Sequence, residues 1–483
     1  MGIVINQSFK NMLSTYIGFG IGAINVLFLY TNFLTDEYYG LVSFVLSTAN
    51  ILMPLMAFGV HNTVIKFYST YKTKQSISSF LTLMLLLPLV FIIPLGLTSC
   101  LFYDTIAGFL ARENTIVYDY VWHIYIAAVT MAYFEIFYAW TKTQLKSVFG
   151  NFMKEVFHRV GVMLLLFAVF LDWLSADQFI YALIGVYILR VLVMMIYALS
   201  FRAPRLSIKR IDNLKEIVTY ALLIIVAASV ATVVLDIDKF MIGEMLQIEE
   251  VAYYSVAVFI ATVIAVPQRA MHQIISPLTA QYLNDNSDKA LKDLYQKSSL
   301  NLMIIGGFIF LLILLNIKQL YLIIPEEFSK GLFVVFLISI AKFYDNILGS
   351  NNAILFNSNY YKMILVFGVL LAILAVVLNF IFIPIYGIEG SAIATFLAVL
   401  IYNSIKIWFV NRKFNILPFT MGSLKTALLI VACFLIFYFW DFGFHPIVNM
   451  ILKSILLLLI YGTLLLKLNC SEDISNLIKR YMK

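Results

Sequence analysis

Charged residues are scarce in this 483-residue chain: they make up 12% of it, whereas 62% of its residues are hydrophobic. A soluble globular protein carries about 25% charged residues. This deficit excludes an ordinary soluble protein and predicts a polytopic membrane protein. We therefore expect the formal net charge of +7 to lie in loops on the inner side of the membrane, not to indicate a nucleic-acid partner.

Motifs for catalysis and metal binding are also missing. The three cysteines, Cys100, Cys433 and Cys470, show no metal-ligand or redox spacing and imply no disulfide framework. The sequence has neither a phosphate-cradling P-loop nor a His-Glu-x-x-His zinc motif. We expect neither an enzyme nor a bound cofactor. If the protein moves a substrate, the energy would come from an ion gradient, the membrane potential or downstream consumption of that substrate.

Long apolar runs fill most of the chain, and a spanning helix needs about 20 mainly apolar residues. The sequence predicts fourteen such helices, at Met12–Leu34, Tyr38–Tyr68, Ser79–Leu101, Tyr118–Trp140, Val156–Leu171, Phe179–Ser200, Ile217–Met245, Val251–Tyr282, Ser298–Asn316, Leu332–Leu355, Tyr361–Ile383, Ile388–Val410, Met421–Trp440 and Ile447–Leu468. Basic residues concentrate in alternate connections, and the outside ones hold only Arg112, Lys318 and Lys330. This bias predicts both termini on the inner, cytoplasmic side. Twelve spans is the alternative, if the last hairpin does not cross.

The predicted helices divide into two halves and a terminal pair. The linker Phe201–Lys215 carries five cations and one proline. Pro54 and Pro267 each lie in the second helix of a half, 213 positions apart (267 minus 54), which is typical of a parallel repeat. Prolines are common in membrane helices, so this repeat is supporting evidence only. The predicted domains are residues 1–204, 205–412 and 413–483, the last with a cytoplasmic tail. No connection is long enough for a soluble catalytic domain.

Two stretches resemble a known superfamily. Residues 378–395 read LNFIFIPIYGIEGSAIAT, and residues 235–277 contain DKFMIG, YYSVA and two prolines. In the first stretch, Pro384 ends a helix, Gly387 makes a turn and Gly390 permits close helix contact. Both stretches are similar to helices 11–12 and 7–8 of the multidrug/oligosaccharidyl-lipid/polysaccharide (MOP) exporter superfamily, in its Wzx-like polysaccharide flippase branch.

This resemblance implies an all-α fold of two six-helix bundles, related by a pseudo-twofold axis around a central cavity, plus two extra C-terminal helices. The implied function in O-antigen or capsule synthesis is a flippase. It would move an undecaprenyl-pyrophosphate-linked oligosaccharide repeat across the bacterial cytoplasmic (inner) membrane by alternating access. The implied partners are that lipid-linked substrate, membrane lipids and polysaccharide polymerase machinery. The alternatives are a multidrug or organic-cation antiporter of the same superfamily and, from another class, a membrane glycan polymerase.

Moving a diphosphate head group through hydrocarbon requires a wet path that contains cations. Arg190, Lys342 and Lys239 lie within predicted helices, where the positive-inside bias does not explain them. Asp345 and Asp236 lie three residues from the two lysines, so the alternative is that each lysine is simply neutralised on its own helix. The sequence therefore predicts a cavity that includes Arg190, Lys342, Lys239 and Asp345.

Three further residues complete the predicted cavity set: Arg269, Glu135 and His61. For Arg269 the alternative is a solvated cation near the inner end of its helix. For Glu135 it is a pair with the region of Lys142. For His61 it is a hydrogen-bonded packing role, although a histidine can titrate near neutral pH.

A coupling-cation site is implied by similarity to the lipid II flippase branch of the superfamily. The matching positions are Asp238, Asn379 and Thr395, whose carboxylate, amide and hydroxyl oxygens suit Na⁺. No basic residue lies three or four positions from Asp238, and no second acid lies near Asn379. Asp238 could thus carry H⁺ instead. The alternative is that Asn379 and Thr395 join their two helices by a hydrogen bond.

Overall fold

The computed structural model describes residues 2–204, 211 and 213–471, and these contain helices but no β-strand. Its contacts divide the chain into two compact units: Met1–Ala252, here unit 1, and Tyr253–Lys483, here unit 2. Seven of the fifteen residues of the predicted linker Phe201–Lys215 and the predicted tail beyond residue 471 lie outside the described residues. The bounds of the three predicted domains stay predictions.

Unit 1 is built from twelve helices and the first turns of a thirteenth. Their bounds are α1 (Gly2–Ile24), α2 (Tyr30–Phe33), α3 (Asp36–Met56), α4 (Val60–Phe67), α5 (Lys74–Leu86), α6 (Leu89–Leu101), α7 (Tyr103–Leu110), α8 (Val121–Thr143), α9 (Ser147–Phe152), α10 (His158–Phe170), α11 (Ala176–Phe201), α12 (Leu214–Met245) and α13 (Ile248–Thr262). Short 3₁₀ segments follow α4 and precede α8.

Helix α8 lies at the centre of unit 1, where it packs against α3, α4 and α11. Its side chains Phe134 and Trp140 are fully buried in an aromatic-rich core with Phe80 of α5. Helix α11 begins at a capping box, in which the Ser175 side chain and Gln178 satisfy each other's backbone N–H groups. This cap fixes the start of α11, so Arg190 lies near the middle of a 26-residue helix.

The second predicted helix is interrupted at a glycine. It was expected to run through Tyr38–Tyr68, but α3 ends at Met56 and α4 begins at Val60. Gly59 has φ +63°, and a Cβ there would lie 2.4 Å from the carbonyl oxygen of Ala221 in α12. Only glycine fits this left-handed, close-packed position. The predicted helix Val251–Tyr282 is likewise interrupted, by a 3₁₀ turn at Val263–Ala265.

Two π-helical segments occur in the described part of unit 1, and each packs against the α-helix that adjoins the other. Asn25–Leu29 continues α1, and Met153–Phe157 joins α9 to α10. The Asn25 side-chain amide donates to the Arg159 carbonyl at 2.8 Å, and a Cβ on Gly18 would lie 2.2 Å from the Glu155 carbonyl oxygen. Because π-turns insert a residue into the helix, they change which side chains share a face, and they occur often at functional sites.

In its described residues, 253–471, unit 2 contains the rest of α13 and seven further helices. Their bounds are α14 (Val266–Asn284), α15 (Asp288–Tyr321), α16 (Leu332–Ile347), α17 (Asn351–Asn357), α18 (Lys362–Phe414), α19 (Met421–Tyr438) and α20 (Pro446–Lys467). Helix α15 is central, since it packs against α14, α16, α19 and α20. Helix α16 also packs against α18, which brings the polar residues of these two helices together.

Helix α18 contains the turn predicted at Gly387. A straight helix of its 53 residues would be about 80 Å long, far more than the ~30 Å hydrocarbon core of a bilayer. Gly387 interrupts it with φ 60° and ψ −138°, and a Cβ on Gly390 would lie only 2.1 Å from the Phe382 carbonyl oxygen. The predicted turn and the close approach at Gly390 are both confirmed.

Ten helices in the described part of the chain are long and apolar enough to cross a membrane, or twelve if two bent pairs each form one span. Counting α18 as two spans at Gly387, and adding the shorter segment Ser147–Phe170, is compatible with the predicted fourteen. The prediction of an all-helical, multi-pass membrane protein is confirmed.

Candidate functional site

Arg190 is the most unusual charge in unit 1. Only 7% of it is exposed, and its guanidinium carbon lies 3.8 Å from the centroid of the Phe134 ring and 5.3 Å from that of Tyr187. Among the described residues, no carboxylate forms an ion pair with it. Cation–π contact stabilises an arginine by a few kcal/mol at most and leaves its charge in place. A cation in this position therefore favours an anion or water beside it.

An ion pair beside Arg190 joins α8 to the second π-helical segment. The Glu135 carboxylate lies 2.7 Å from Lys154 Nζ, so its partner is not the Lys142 region, although Lys142 interacts with it at longer range. One turn along, Glu155 and Arg159 are 3.6 Å apart. Both acids also interact electrostatically with Arg190.

Cations outnumber acids in this cluster, here called the unit 1 cluster. Its members are Lys142, Lys154, Arg159, Arg190, Glu135, Glu155, His61 and His158. Four lysine and arginine side chains accompany two carboxylates. His61 and His158 each hold a buried Nδ1 without a hydrogen-bond partner among the described residues. The cluster can therefore accept an anion and offer it further hydrogen bonds. His158 was missed by the sequence reasoning, and its proximity to Arg190 carries no local sequence signal.

The polar centre of unit 2 has a different composition. Asp345 of α16 accepts a hydrogen bond from the Asn403 amide at 3.3 Å, and Asn403 in turn accepts one from Lys406 Nζ at 3.4 Å. Lys406 is 1% exposed. Lys342 is half-buried on α16, and no ion pair joins it to Asp345 within the described part of the chain. The alternative that Asp345 neutralises Lys342 therefore finds no support.

Lys406 was missed by the sequence reasoning, although a signal existed. It is a lysine inside a predicted spanning helix, four residues before Val410, and such residues are costly unless compensated. Lys453 of α20 was missed in the same way: it is 2% exposed and lies 2.9 Å from the Asp441 carboxylate.

Arg269 and His272 are both exposed on α14, as the alternative of a solvated cation expects. They nevertheless line a cavity of about 200 Å³ that reaches Asp345, together with Gln268 and Asn352. Gln268 donates to the Asp345 backbone carbonyl at 3.2 Å. This cavity connects the unit 2 polar centre to the surface of the unit.

Lys239 is paired with Asp236, at 3.6 Å, as the neutralisation alternative describes. Asp238, two residues after Asp236, is 7% exposed. In unit 2, the Asn379 amide donates to the Ala375 carbonyl of its own helix at 2.9 Å, and Thr395 is half-buried. The shared cation site at Asp238, Asn379 and Thr395 stays a prediction. No cluster of three His, Cys, Asp or Glu side chains suited to a metal occurs in the described residues.

A family model described as polysaccharide biosynthesis protein matches residues 4–270, which is more than half of the chain. The chain belongs to this family. The match includes every member of the unit 1 cluster. No curated protein matches the sequence significantly.

Several solved structures share the fold of this protein. A lipid II flippase MurJ in an inward closed conformation is similar with a TM-score of 0.71 and 13% identity, over 95% of this chain and 98% of that one. An inward-facing multidrug resistance MATE transporter of the MOP superfamily gives 0.65 and 12%, over 85% and 94%. Its outward-facing counterpart gives 0.56 and 12%, over 86% and 95%. The predicted link to polysaccharide synthesis agrees with the family model, the predicted fold class is confirmed, and these neighbours are transporters rather than enzymes.

Proposed function

We propose that the protein is a flippase for a lipid-linked oligosaccharide repeat unit, carried on a polyprenyl diphosphate such as undecaprenyl pyrophosphate. It would move the head group from the inner to the outer leaflet of the bacterial cytoplasmic membrane by alternating access, with both termini in the cytoplasm. The product would feed O-antigen or capsule polymerisation. Family membership and the transporter fold support this proposal at the level of class.

The observation that carries the proposal is the cation surplus around Arg190. A diphosphate is a compact, multiply charged anion, and a guanidinium binds phosphate oxygens through two parallel hydrogen bonds. Lys142 and Lys154 supply further point charges, and Glu135 and Glu155 limit the surplus so that the anion can leave again. The oligosaccharide itself would be held by groups that these charges do not identify.

The antiporter alternative fits this cluster poorly. An organic cation needs a site in which acids dominate, because like charges brought together in a desolvated site cost several kcal/mol. In the unit 1 cluster the cations exceed the acids. The polymerase alternative has no support in the neighbouring structures, which are transporters and flippases.

The test replaces the chromosomal gene with an Arg190→Ala variant in the native cells. Losing one buried charged contact to phosphate costs about 2–5 kcal/mol, so flux should fall at least about tenfold. We expect surface polysaccharide to disappear and radiolabelled lipid-linked repeats to accumulate inside, with the protein still in the membrane. Arg412→Ala, at an exposed arginine of α18, is the matched control and should behave as wild type.

Two results would contradict the proposal. One is normal surface polysaccharide in Arg190→Ala cells. The other is a gene deletion that leaves surface polysaccharide unchanged but abolishes efflux of the organic cation ethidium, which would favour the antiporter.

A further inference from the structure

Two lysines are almost completely buried in unit 2, and their environments differ. Lys453 lies 2.9 Å from the carboxylate of Asp441, which is half exposed. Lys406 makes no direct ion pair within the described residues. Its ammonium has one long hydrogen bond, 3.4 Å to Asn403 Oδ1, and lies 4.4 Å from the Tyr402 ring centroid. Lys453 is thus held as an ion pair, whereas Lys406 is held weakly.

For a buried ammonium with so few partners, the free-energy cost of leaving water is only just offset. An ammonium has three N–H donors, and removing it from water is expensive unless those donors are satisfied and an anion is close. The nearest carboxylate is Asp345, which is separated from Lys406 by the Asn403 amide. The amine form of the same side chain would carry no such penalty. Little free energy therefore separates the protonated and the neutral states of Lys406.

A route for a proton exists on the other side of Asp345. This residue lines the cavity of about 200 Å³ that also contains Gln268, Arg269, His272 and Asn352. Ile275, Leu302 and Gly349 complete its lining, and its five polar side chains and its volume suit several water molecules. Asp345 therefore lies between this cavity and the buried lysine.

We propose that Asp345, Asn403 and Lys406 form a proton-binding site that takes up and releases one proton during transport. In the loaded form, Lys406 is an ammonium and Asp345 a carboxylate. On release, an Nζ–H bond breaks, its electron pair stays on nitrogen, and a water molecule entering at Asp345 accepts the proton. Asn403 keeps the two charges apart, so that they do not form a permanent ion pair. The coupling role rests on the proposed function.

The charged and titratable groups around this site come from every helix packed near it. They are Lys342, Tyr344 and Asp345 of α16, Arg269 and His272 of α14, Tyr295 of α15 and Tyr402 of α18; α17 has none. Tyr344 is hydrogen-bonded to Ser404 at 3.0 Å and Tyr295 to Asn351 at 2.7 Å. Among these groups Asp345 is the one whose charge acts on Lys406, and it favours proton uptake.

The test is a potentiometric titration of the full-length protein in detergent between about pH 5 and pH 9. An unperturbed aspartate titrates near 3.9 and a lysine near 10.4, so an ordinary pair exchanges almost no proton in this window. We expect wild type to bind about one more proton per chain at the acidic end than the double variant Asp345→Asn/Lys406→Met. The matched double variant Asp441→Asn/Lys453→Met should bind as many protons as wild type.

A second variant controls for misfolding of the double variant. Lys406→Arg keeps the positive charge but cannot release a proton, because arginine stays protonated throughout the window. It should also lose the extra proton. Proton binding by both Lys406 variants that equals wild type would overturn the site.

The coupling role is tested separately in cells. Lys406→Arg should remove the dependence of surface polysaccharide on external pH, and an unchanged dependence would overturn the coupling. Failure of the proposed function looks different. In that case deleting the gene leaves surface polysaccharide intact, while the titration of the purified protein still shows the extra proton.

Discussion

The two units bury charge in opposite ways. In unit 1, Arg190 rests on Phe134, and cations exceed acids around it. In unit 2, one buried cation, Lys406, is linked to one acid, Asp345, through Asn403, whereas the neighbouring Lys342 is only half-buried and Arg269 is exposed. A surplus of cations is suited to an anion that arrives and departs with the substrate. A balanced pair is suited to a proton, which changes the charge by one without any larger ligand. Under the two proposals, the unit 1 cluster would bind the substrate and the unit 2 site would couple its movement to a proton.

The strongest way to break this comparison is to reverse the charge in unit 1. Arg190→Glu should lower flux at least about 100-fold, equivalent to about 2.7 kcal/mol, because it places a third carboxylate beside Glu135 and Glu155. Surface polysaccharide per membrane-inserted protein is the measurement. Arg412→Glu is the control. Appreciable flux through Arg190→Glu would mean that the cluster does not bind the diphosphate.

The second test asks whether the charges of Asp345 and Lys406 in unit 2 compensate each other. Asp345→Asn should destabilise the protein by about 2–4 kcal/mol at pH 5, where Lys406 either stays a buried cation without its acid or releases its proton against the acidic solution. Adding Lys406→Met should recover most of that loss, because both charges are then gone. Thermal unfolding in detergent measures both variants. A double variant no more stable than Asp345→Asn would show that the two residues are not coupled.

The third test sharpens the role of the π-helical segment in unit 1. Gly18→Ala should cost about 1–3 kcal/mol, because its Cβ would overlap the Glu155 backbone and push the segment away from α1. Gly20→Ala on the same helix is the matched control, since nothing lies within 4 Å of its Cβ, and it should be neutral or slightly stabilising. Equal effects of the two changes would contradict the close packing.

The smallest effect is expected from Glu135→Gln. The Lys154 side chain is 42% exposed and can extend to the surface once the ion pair is lost. We therefore expect a stability change below about 1 kcal/mol, in contrast to Asp345→Asn. A loss as large as that of Asp345→Asn in the same unfolding assay would remove the distinction between the units.

Much of the architecture follows from the sequence alone. Apolar runs long enough to span a bilayer predict the helices, because backbone N–H and C=O groups inside a bilayer can hydrogen-bond only to each other. The turn at Gly387 could be predicted because proline and glycine act locally on the backbone. Arg190 could be singled out because a charge in an apolar run is costly wherever the helix lies.

The partners of these charged side chains could not be predicted from the sequence in the same way. Glu135 pairs with Lys154 because a π-helical segment, unmarked in the sequence, brings that lysine to α8. Asp345 accepts a hydrogen bond from Asn403 and, among the described residues, forms no ion pair with Lys342, three residues away. The reason is that α16 packs against α18.

By itself, then, the sequence determined a helical membrane protein of this family and which residues carry costly charge, since insertion and helix formation depend on local composition. Only the tertiary structure decided which charges are compensated, because compensation acts over a few ångströms between helices whose separation in sequence is arbitrary.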